Sequence, residues 1–276
     1  MSGKVAVMMA VYNAAAYLRA AVDSVLSQTH RDLYLIMCDD GSTDDSSAIM
    51  KEYAAQDSRV IAIFNGKNLG VPATRNRMLA AAPADAEYLA VLDSDDIAHP
   101  RRLEVQWASL ESHPEISAVG ASIGIIDETG LRYASRTYPC GWEDMPRRAV
   151  CANPLAHSTF CFRRSILEQL QGYDEKRRSC EDYDFLMRLL EHFRFDNCPE
   201  ELVDYRICRK QWKQTHLKRS LTATLAIQRR YLFRPRFRGM RGFLAHFSKY
   251  PLYLLPNCTI LWLFQRLTYR RGGTGK

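Results

Sequence analysis

Three carboxylates follow directly on a short apolar run in the first half of the chain. The run is Tyr-Leu-Ala-Val-Leu (88–92), and the residues after it are Asp93, Ser94, Asp95 and Asp96. A buried strand of this kind would deliver carboxylates to the edge of a sheet. Mg²⁺ and Mn²⁺ take oxygen ligands, and Mg²⁺ commonly uses one or two carboxylates with substrate phosphates. The pattern predicts a site where a divalent cation meets a phosphate. A polar turn that caps the next helix is the other interpretation, since Asp and Ser are common there.

The elements that must position these carboxylates alternate regularly. Strand patterns and helical patterns follow each other through the first hundred residues, with strands at 4–10, 33–38, 60–64 and 88–92 and helices that include 46–53 and 70–82. This order predicts an α/β fold with a parallel sheet covered by helices on both faces. Ligands of such sheets bind at the carboxyl ends of the strands. Asn13, Asp40 and Asp93 each follow a strand, so we expect them along one edge.

The second half has a less regular pattern. It contains strand patterns at 116–126, 131–138, 158–163 and 202–206, and a helix that opens at Asp182. We expect an α+β half that packs on the first half without a mobile boundary.

Five motifs in a fixed order carry a family resemblance. They are Val11-Tyr12-Asn13, Asp-Asp-Gly-Ser-Thr-Asp (39–44), Ala-Thr-Arg-Asn (73–76), Asp-Ser-Asp-Asp (93–96) and Glu-Asp-Tyr-Asp (181–184). Over roughly residues 5–206 the chain resembles family 2 glycosyltransferases, which have the Rossmann-like GT-A fold. The resemblance implies a catalytic domain over 1–206, with a nucleotide-sugar half at about 1–98 and an acceptor half at about 99–206.

The resemblance also implies roles on the donor side. Asp95 would bind Mg²⁺ or Mn²⁺, which stabilises charge on the departing diphosphate, while Asp93 and Ser94 would contact the donor. Val11 and Tyr12 would lie against the nucleobase, Asp40 would accept a hydrogen bond from it, and Arg75 would reach the diphosphate or the base. Considered singly, Asp40 fits an ordinary turn and Arg75 a solvated helix face. Asp96 has the weaker claim on the metal and is interpreted as a cap of the helix near Pro100.

On the acceptor side, the resemblance makes Asp182 the catalytic base of an inverting transferase. A base must take the proton of the attacking acceptor hydroxyl, and a helix N-terminus favours an ionised carboxylate. Propensity alone would make Asp182 a first-turn acid of a surface helix. Glu181 is the candidate acceptor contact. Segment 209–214 (Arg-Lys-Gln-Trp-Lys-Gln) lacks the Gln-x-x-Arg-Trp element of processive relatives, which favours a single addition.

Charge divides the chain sharply. Residues 205–276 contain 17 Lys or Arg and no Asp or Glu, whereas residues 1–204 contain 21 basic and 31 acidic residues. We expect the helical region 207–276 to meet an anionic membrane surface, because apolar and aromatic residues accompany its cations. The acceptor would then be a glycan on a lipid or a lipopolysaccharide core at the cytoplasmic membrane face. Packing of this region on the catalytic domain is the alternative.

Other function classes find little support. The eight cysteines form no Cys-x-x-Cys pair, so a zinc site is not predicted. The expected location is the cytoplasm, with the protein peripheral on the inner face of the membrane. A nucleic-acid partner is not predicted, because the body is acidic and no binding module is evident. Two alternatives stay open: a metal-dependent nucleotidyltransferase, although no Walker-type loop is present, and a non-catalytic sugar-nucleotide binder. For a transferase, the family resemblance implies UDP as the expected donor nucleotide.

Overall fold

The computed structural model describes residues 3–177, 179–208 and 217–271, so segment 209–214 lies outside the described residues. The strands are β1 (Lys4–Val11), β2 (Leu33–Asp39), β3 (Val60–Phe64), β4 (Ala86–Val91), β5 (Ile97–Ala98), β6 (Ala118–Ile126), β7 (Arg132–Arg136), β8 (Cys161–Arg163), β9 (Phe195–Arg206) and β10 (Arg270–Arg271). The α-helices are α1 (Ala15–Leu26), α2 (Ser46–Gln56), α3 (Val71–Ala81), α4 (Arg102–Ser112), α5 (Met145–Cys151), α6 (Glu181–His192), α7 (Leu217–Tyr231), α8 (Met240–Phe247) and α9 (Asn257–Thr268).

The first half forms the predicted parallel sheet. The strands lie in the order β3-β2-β1-β4, and each neighbouring pair is parallel. Alternate residues of β1 enter two hydrophobic cores. Val5, Val7 and Met9 pack in one, while Ala6 and Met8 pack in the other. Both faces of the sheet are therefore covered, which explains why these strands are apolar throughout.

The second half extends the same sheet. Within the described residues the two halves share one ten-stranded sheet, in which β8 lies antiparallel between β4 and β6. β9 runs parallel to β6 and antiparallel to β5. Because the strands of the two halves are hydrogen-bonded to each other, the first and second halves form one continuous structure.

β9 is longer than the predicted strand at 202–206. Cys198 of β9 pairs with Ala121 of β6, but the next pair is Glu201 with Ser122. Pro199 and Glu200 therefore form a bulge in β9. A proline in a strand is accommodated at such a bulge. The proline and the following glutamates obscured the start of the strand in the sequence.

The basic C-terminal region packs partly on the catalytic body. Ile227, Tyr231 and Phe237 are buried in the second hydrophobic core. α8 packs against α5 with Gly242 and His246 buried, whereas α9 has no buried residue among those described. Within the described ranges, no helix combines the length and the apolar character that crossing a bilayer requires.

Candidate active site

The acidic turn (residues 93–96) lies at the centre of the sheet, directly after β4. Leu92 N continues the parallel ladder by donating to Met8 O (3.1 Å), and Asp96 N closes the turn by donating to Asp93 O (3.2 Å). The side chains of residues 93–95 are partly exposed. The turn therefore lies at the carboxyl ends of the parallel strands, where the sequence predicted it.

Asp96 does not cap a helix, so that prediction is wrong. α4 begins at Arg102, and no side chain caps it. Asp96 is fully buried, and its Oδ1 accepts a hydrogen bond from Arg206 N (2.8 Å) at the end of β9. The carboxylate thus connects the acidic turn to the acceptor half. This contact spans 110 residues of sequence, which is why local spacing did not indicate it.

Burial of its carboxyl raises the pKa of Asp96 well above its ordinary value. Burial is the largest cause, and the negative charges of Asp95 and Asp93 add to it. Carboxylates that lie close together at the carboxyl end of a strand suit a divalent cation, which takes oxygen ligands.

The turn fits a cation that is shared with a substrate. Among the described residues, no group of three or more His, Cys, Asp or Glu could hold a metal ion without other ligands. Asp93 and Asp95 offer carboxylate oxygens at the edge, and magnesium sites commonly complete such a pair with phosphate and water. The donor set therefore suits Mg²⁺ or Mn²⁺ bound together with a diphosphate. Metal ligation by Asp95 stays a prediction.

Arg75 joins the acidic turn to the acceptor half. Its guanidinium is buried on α3, where Nη1 donates to Glu181 Oε1 (2.8 Å) and Nη2 donates to Asp93 Oδ1 (3.2 Å). Burial alone would lower the pKa of Arg75, but the charges of Glu181, Asp93 and Asp182 raise it above its ordinary value. Arg75 is therefore a permanently charged bridge and not the solvated surface residue that the sequence alone allowed.

The aromatic support beneath Arg75 was not predicted. The guanidinium carbon lies 5.4 Å from the centre of the Tyr173 ring, and the Tyr173 hydroxyl lies 3.0 Å from His157 Nε2. Next to His157, the buried Ser158 Oγ accepts a 3.4 Å hydrogen bond from Asp93 N. His157 and Ser158 lie in the 3₁₀ helix His157–Thr159, where the sequence predicted the start of a strand, and β8 begins only at Cys161. Because no motif marks these residues or Tyr173, only their position in the fold identifies them.

The residues that were predicted to lie against the nucleobase differ in how exposed they are. Tyr12 is 51% exposed at the end of β1, so its ring is accessible. The Val11 side chain is fully buried, and its carbonyl accepts Asp40 N (2.8 Å). A contact between Val11 and the nucleotide-sugar donor stays a prediction.

Asp40 holds the loop that precedes α3. Its Oδ1 accepts hydrogen bonds from Asn65 Nδ2 and Leu69 N (both 2.8 Å), and its Oδ2 accepts Gly70 N (3.0 Å). With 4% exposure, the carboxylate has a clear structural function. Its recognition of a nucleobase stays a prediction.

The acids in the first turn of α6 have three different environments. Glu181 accepts from Arg75, and the buried Asp184 pairs with Arg177 Nε at 2.6 Å. Asp182 is partly exposed, and Asn153 Nδ2 donates to its Oδ2 at 3.4 Å. Asp182 is thus the first-turn carboxylate best placed to meet a substrate, whereas Glu181, the predicted acceptor contact, is engaged with Arg75.

Comparison with known proteins decides the family. Residues 6–171 match the model described as Glycosyl transferase family 2, and this match includes the acidic turn and Arg75. The chain belongs to glycosyl transferase family 2. It is 39% identical to EpsE of Bacillus subtilis, which is named as a glycosyltransferase, over 209 residues that cover 74% of this chain and 73% of EpsE. It is 28% identical to the O-antigen biosynthesis glycosyltransferase WbnJ of Escherichia coli over 249 residues, which cover 89% of this chain and 95% of WbnJ.

Solved structures confirm the fold of this family 2 glycosyltransferase. S. aureus TarS 1-349 in complex with UDP-GlcNAc superposes with a TM-score of 0.68 at 17% identity, covering 95% of this chain and 79% of that one. The mannosyltransferase PcManGT from Pyrobaculum calidifontis, in complex with GDP-Man and Mn²⁺, gives a TM-score of 0.68 at 16% identity, covering 98% and 76%. The GT-A fold predicted from the sequence is confirmed.

Loss of the Arg75 charge should destabilise the protein strongly. Arg75→Met would leave Asp93 and Glu181 without their shared cation. These carboxylates stay partly hydrated, so we expect the loss of a charged hydrogen bond, about 2–3 kcal/mol. Arg77→Met is the matched control, because Arg77 is exposed on the same helix and donates to Asn65 Oδ1 (2.6 Å); we expect about 1 kcal/mol there. Urea unfolding measures both free energies. Equal losses would show that Arg75 is not a stabilising bridge.

Proposed function

We propose that this glycosyltransferase moves one sugar from a nucleotide-diphosphate sugar to an acceptor hydroxyl, with inversion at the anomeric carbon. The proposal rests mainly on the Arg75 bridge, which holds the acidic turn next to α6, the helix that contains Asp182. The neighbouring structures in complex with UDP-GlcNAc and with GDP-Man support a nucleotide-sugar donor. Family membership favours sugar transfer over nucleotidyl transfer or a non-catalytic role.

The donor site that we propose lies along the edge formed by β1, β2 and β4. Tyr12 would face the nucleobase, with Val11 and Asp40 beneath it, and Ser94 and Asp93 would contact the ribose or the sugar. UDP is the expected nucleotide. Asp95 would hold Mg²⁺ or Mn²⁺, which when bound supplies positive charge to the diphosphate leaving group.

Asp182 supplies the base for the transfer. It accepts the proton of the acceptor hydroxyl while that oxygen bonds to the anomeric carbon, and the bond from that carbon to the diphosphate oxygen breaks. The electron pair of that bond leaves with the nucleoside diphosphate. Attack from the face opposite the leaving group inverts the anomeric carbon. Asp182 lies in the first turn of α6, near enough to Arg75 for the two charges to interact.

Asp182→Asn should lower kcat by about 10²–10⁴, the range for loss of a general base, while donor affinity stays close to that of the wild type. A coupled assay for released nucleoside diphosphate gives the rate, and calorimetry gives the affinity. Asp144→Asn is the control, because Asp144 is an exposed carboxylate at the start of α5, where it pairs with Arg147. Full activity of Asp182→Asn would contradict the assignment.

Donor binding should depend on the metal. In a panel of nucleotide sugars with Mn²⁺ or Mg²⁺, the correct donor should raise Tm, since a ligand of the folded state stabilises it by mass action. A chelator or Asp95→Asn should abolish most of that shift, because the diphosphate then faces the acidic turn without a cation. A shift that survives both changes would show that the metal is not part of donor binding.

We also propose that the protein works at the cytoplasmic membrane face, on a lipid-linked or lipopolysaccharide-type glycan. α8 points an apolar stripe outward, with Met240 at 73%, Phe243 at 40%, Leu244 at 61% and Phe247 at 50% exposure. This spacing places all four on one side of the helix, opposite the side that packs on α5. Arginines 234, 236, 238 and 241 lie before and within α8. An outward apolar stripe beside cations suits an anionic membrane.

The double variant Leu244→Ser/Phe247→Ser should bind phosphatidylglycerol vesicles about tenfold more weakly, because two apolar side chains can no longer insert into the bilayer surface. Co-sedimentation measures this. Leu131→Ser is the control, because Leu131 is equally exposed (67%) but lies in the β6–β7 turn. These point changes are preferable to deletion from Arg229, which would remove the buried Tyr231 and Phe237. Undiminished binding of the double variant would contradict membrane attachment through α8.

A further inference from the structure

Asn153 reaches the proposed catalytic base from a different part of the chain. It lies in segment 152–156, between α5 and the 3₁₀ helix His157–Thr159. Its Nδ2 donates to Asp182 Oδ2 at 3.4 Å, across 29 residues of sequence. Both residues are partly exposed, so both can lie next to a bound acceptor.

The amide of Asn153 is held in one orientation by its own backbone. Asn153 Oδ1 accepts a hydrogen bond from Leu155 N (3.2 Å), a contact that Asn commonly makes two residues along the chain. An amide oxygen that is used in this way leaves the NH₂ group for the other side. Asp182 therefore meets a hydrogen-bond donor and not an amide oxygen.

The segment that carries Asn153 is fixed on both sides. On one side, Cys151 O accepts a hydrogen bond from Lys249 Nζ (2.8 Å). On the other side, Pro154 is buried, and its carbonyl accepts a hydrogen bond from Asn197 Nδ2 of β9 (3.0 Å). A side chain on a fixed backbone can hold its partner within the narrow limits that proton transfer requires.

Asn153 adds a neutral donor to a charged neighbourhood. Several groups near Asp182 are charged or titratable, namely Arg75 on α3, Tyr173 and Cys180 before α6, and the adjacent Glu181. Arg75 donates to Glu181 and Asp93, so its effect on Asp182 is one of charge. Asn153, in contrast, supplies a direct hydrogen bond to Asp182.

We propose that Asn153 positions Asp182 for proton transfer. Its Nδ2–H holds Oδ2, so that Asp182 Oδ1 faces the acceptor hydroxyl and takes the proton. The inference rests on the proposed function, in which Asp182 is the base. Asn153 keeps its own protons during the transfer, and it acts on the reaction only through Asp182.

Two substitutions separate this positioning from a purely structural contribution. Asn153→Asp has nearly the same shape and keeps an oxygen for Leu155 N, but it places a second carboxylate against Asp182. Asn153→Ala removes both contacts. Asn257→Asp is the matched control for the added charge, because Asn257 is an exposed residue at the start of α9.

The test measures hydrolysis by the full-length protein of the nucleotide sugar that raises Tm most with Mn²⁺, with water as the acceptor. Water attacks the anomeric carbon, Asp182 takes a proton from it, and the nucleoside diphosphate leaves with the electron pair of the broken bond. The release of nucleoside diphosphate is followed across the pH range in which the protein stays folded. Calorimetry gives the affinity for the donor.

For Asn153→Asp we expect the acid limb of the pH profile to move up by about one pH unit, because two adjacent carboxylates ionise less readily than one. At higher pH the rate should return toward that of the wild type. Asn153→Ala should lower kcat about tenfold to a hundredfold at every pH, the scale of a misplaced reacting group, with unchanged donor affinity. Asn257→Asp should keep the wild-type profile.

An acid limb at the wild-type position in Asn153→Asp, or an unchanged kcat in Asn153→Ala, would overturn the proposal. Asp182→Asn in the same series distinguishes this failure from a failure of the proposed function. If Asp182→Asn keeps the wild-type rate, the proposed base is wrong. If Asp182→Asn loses activity while Asn153→Asp keeps the wild-type acid limb, only the positioning by Asn153 is wrong.

Discussion

The bridge formed by Arg75 connects the two halves of the protein at the candidate active site. A buried guanidinium is costly unless carboxylates compensate it, and Asp93 and Glu181 do so from opposite sides of the site. One carboxylate follows the central strand β4 and the other opens α6. The acidic turn and the helix that carries Asp182 are thereby held at a fixed separation, and Tyr173 beneath the guanidinium limits its movement.

The shared sheet gives this bridge a rigid frame. β8 lies between β4 and β6, so the acceptor half is hydrogen-bonded to the strand that ends in the acidic turn. Arg206 adds a second connection, since its backbone N–H donates to Asp96 and its Nε donates to the carbonyl of Asp95 (both 2.8 Å). Such a frame suits a reaction in which donor and acceptor must be held in line for attack.

Sequence reasoning succeeded where a feature is local. The apolar strands of the first half and the turn at 93–96 follow from patterns within a few residues, and the order of motifs identified the family. It failed where a residue's environment comes from distant segments. Arg75 meets Glu181 across 106 residues, and Asp96 is buried by β9, so neither environment can be inferred from neighbouring residues. His157 and Tyr173 belong to no regular pattern, and only the fold brings them beneath Arg75.

The C-terminal region packs on the catalytic body, which is one of the two interpretations that its sequence left open, and it also leaves an apolar face exposed. Membrane attachment through that face stays a proposal. Arg234 pairs with Glu191, and Lys249 donates to the carbonyl of Cys151 (2.8 Å), so part of its positive charge is used on the acidic body. Tyr231 and Phe237 complete the hydrophobic core on that side. If packing were the whole function, α8 would bury its apolar stripe, yet the stripe faces outward. Packing of α8 on α5 thus orients an apolar surface with neighbouring arginines away from the body.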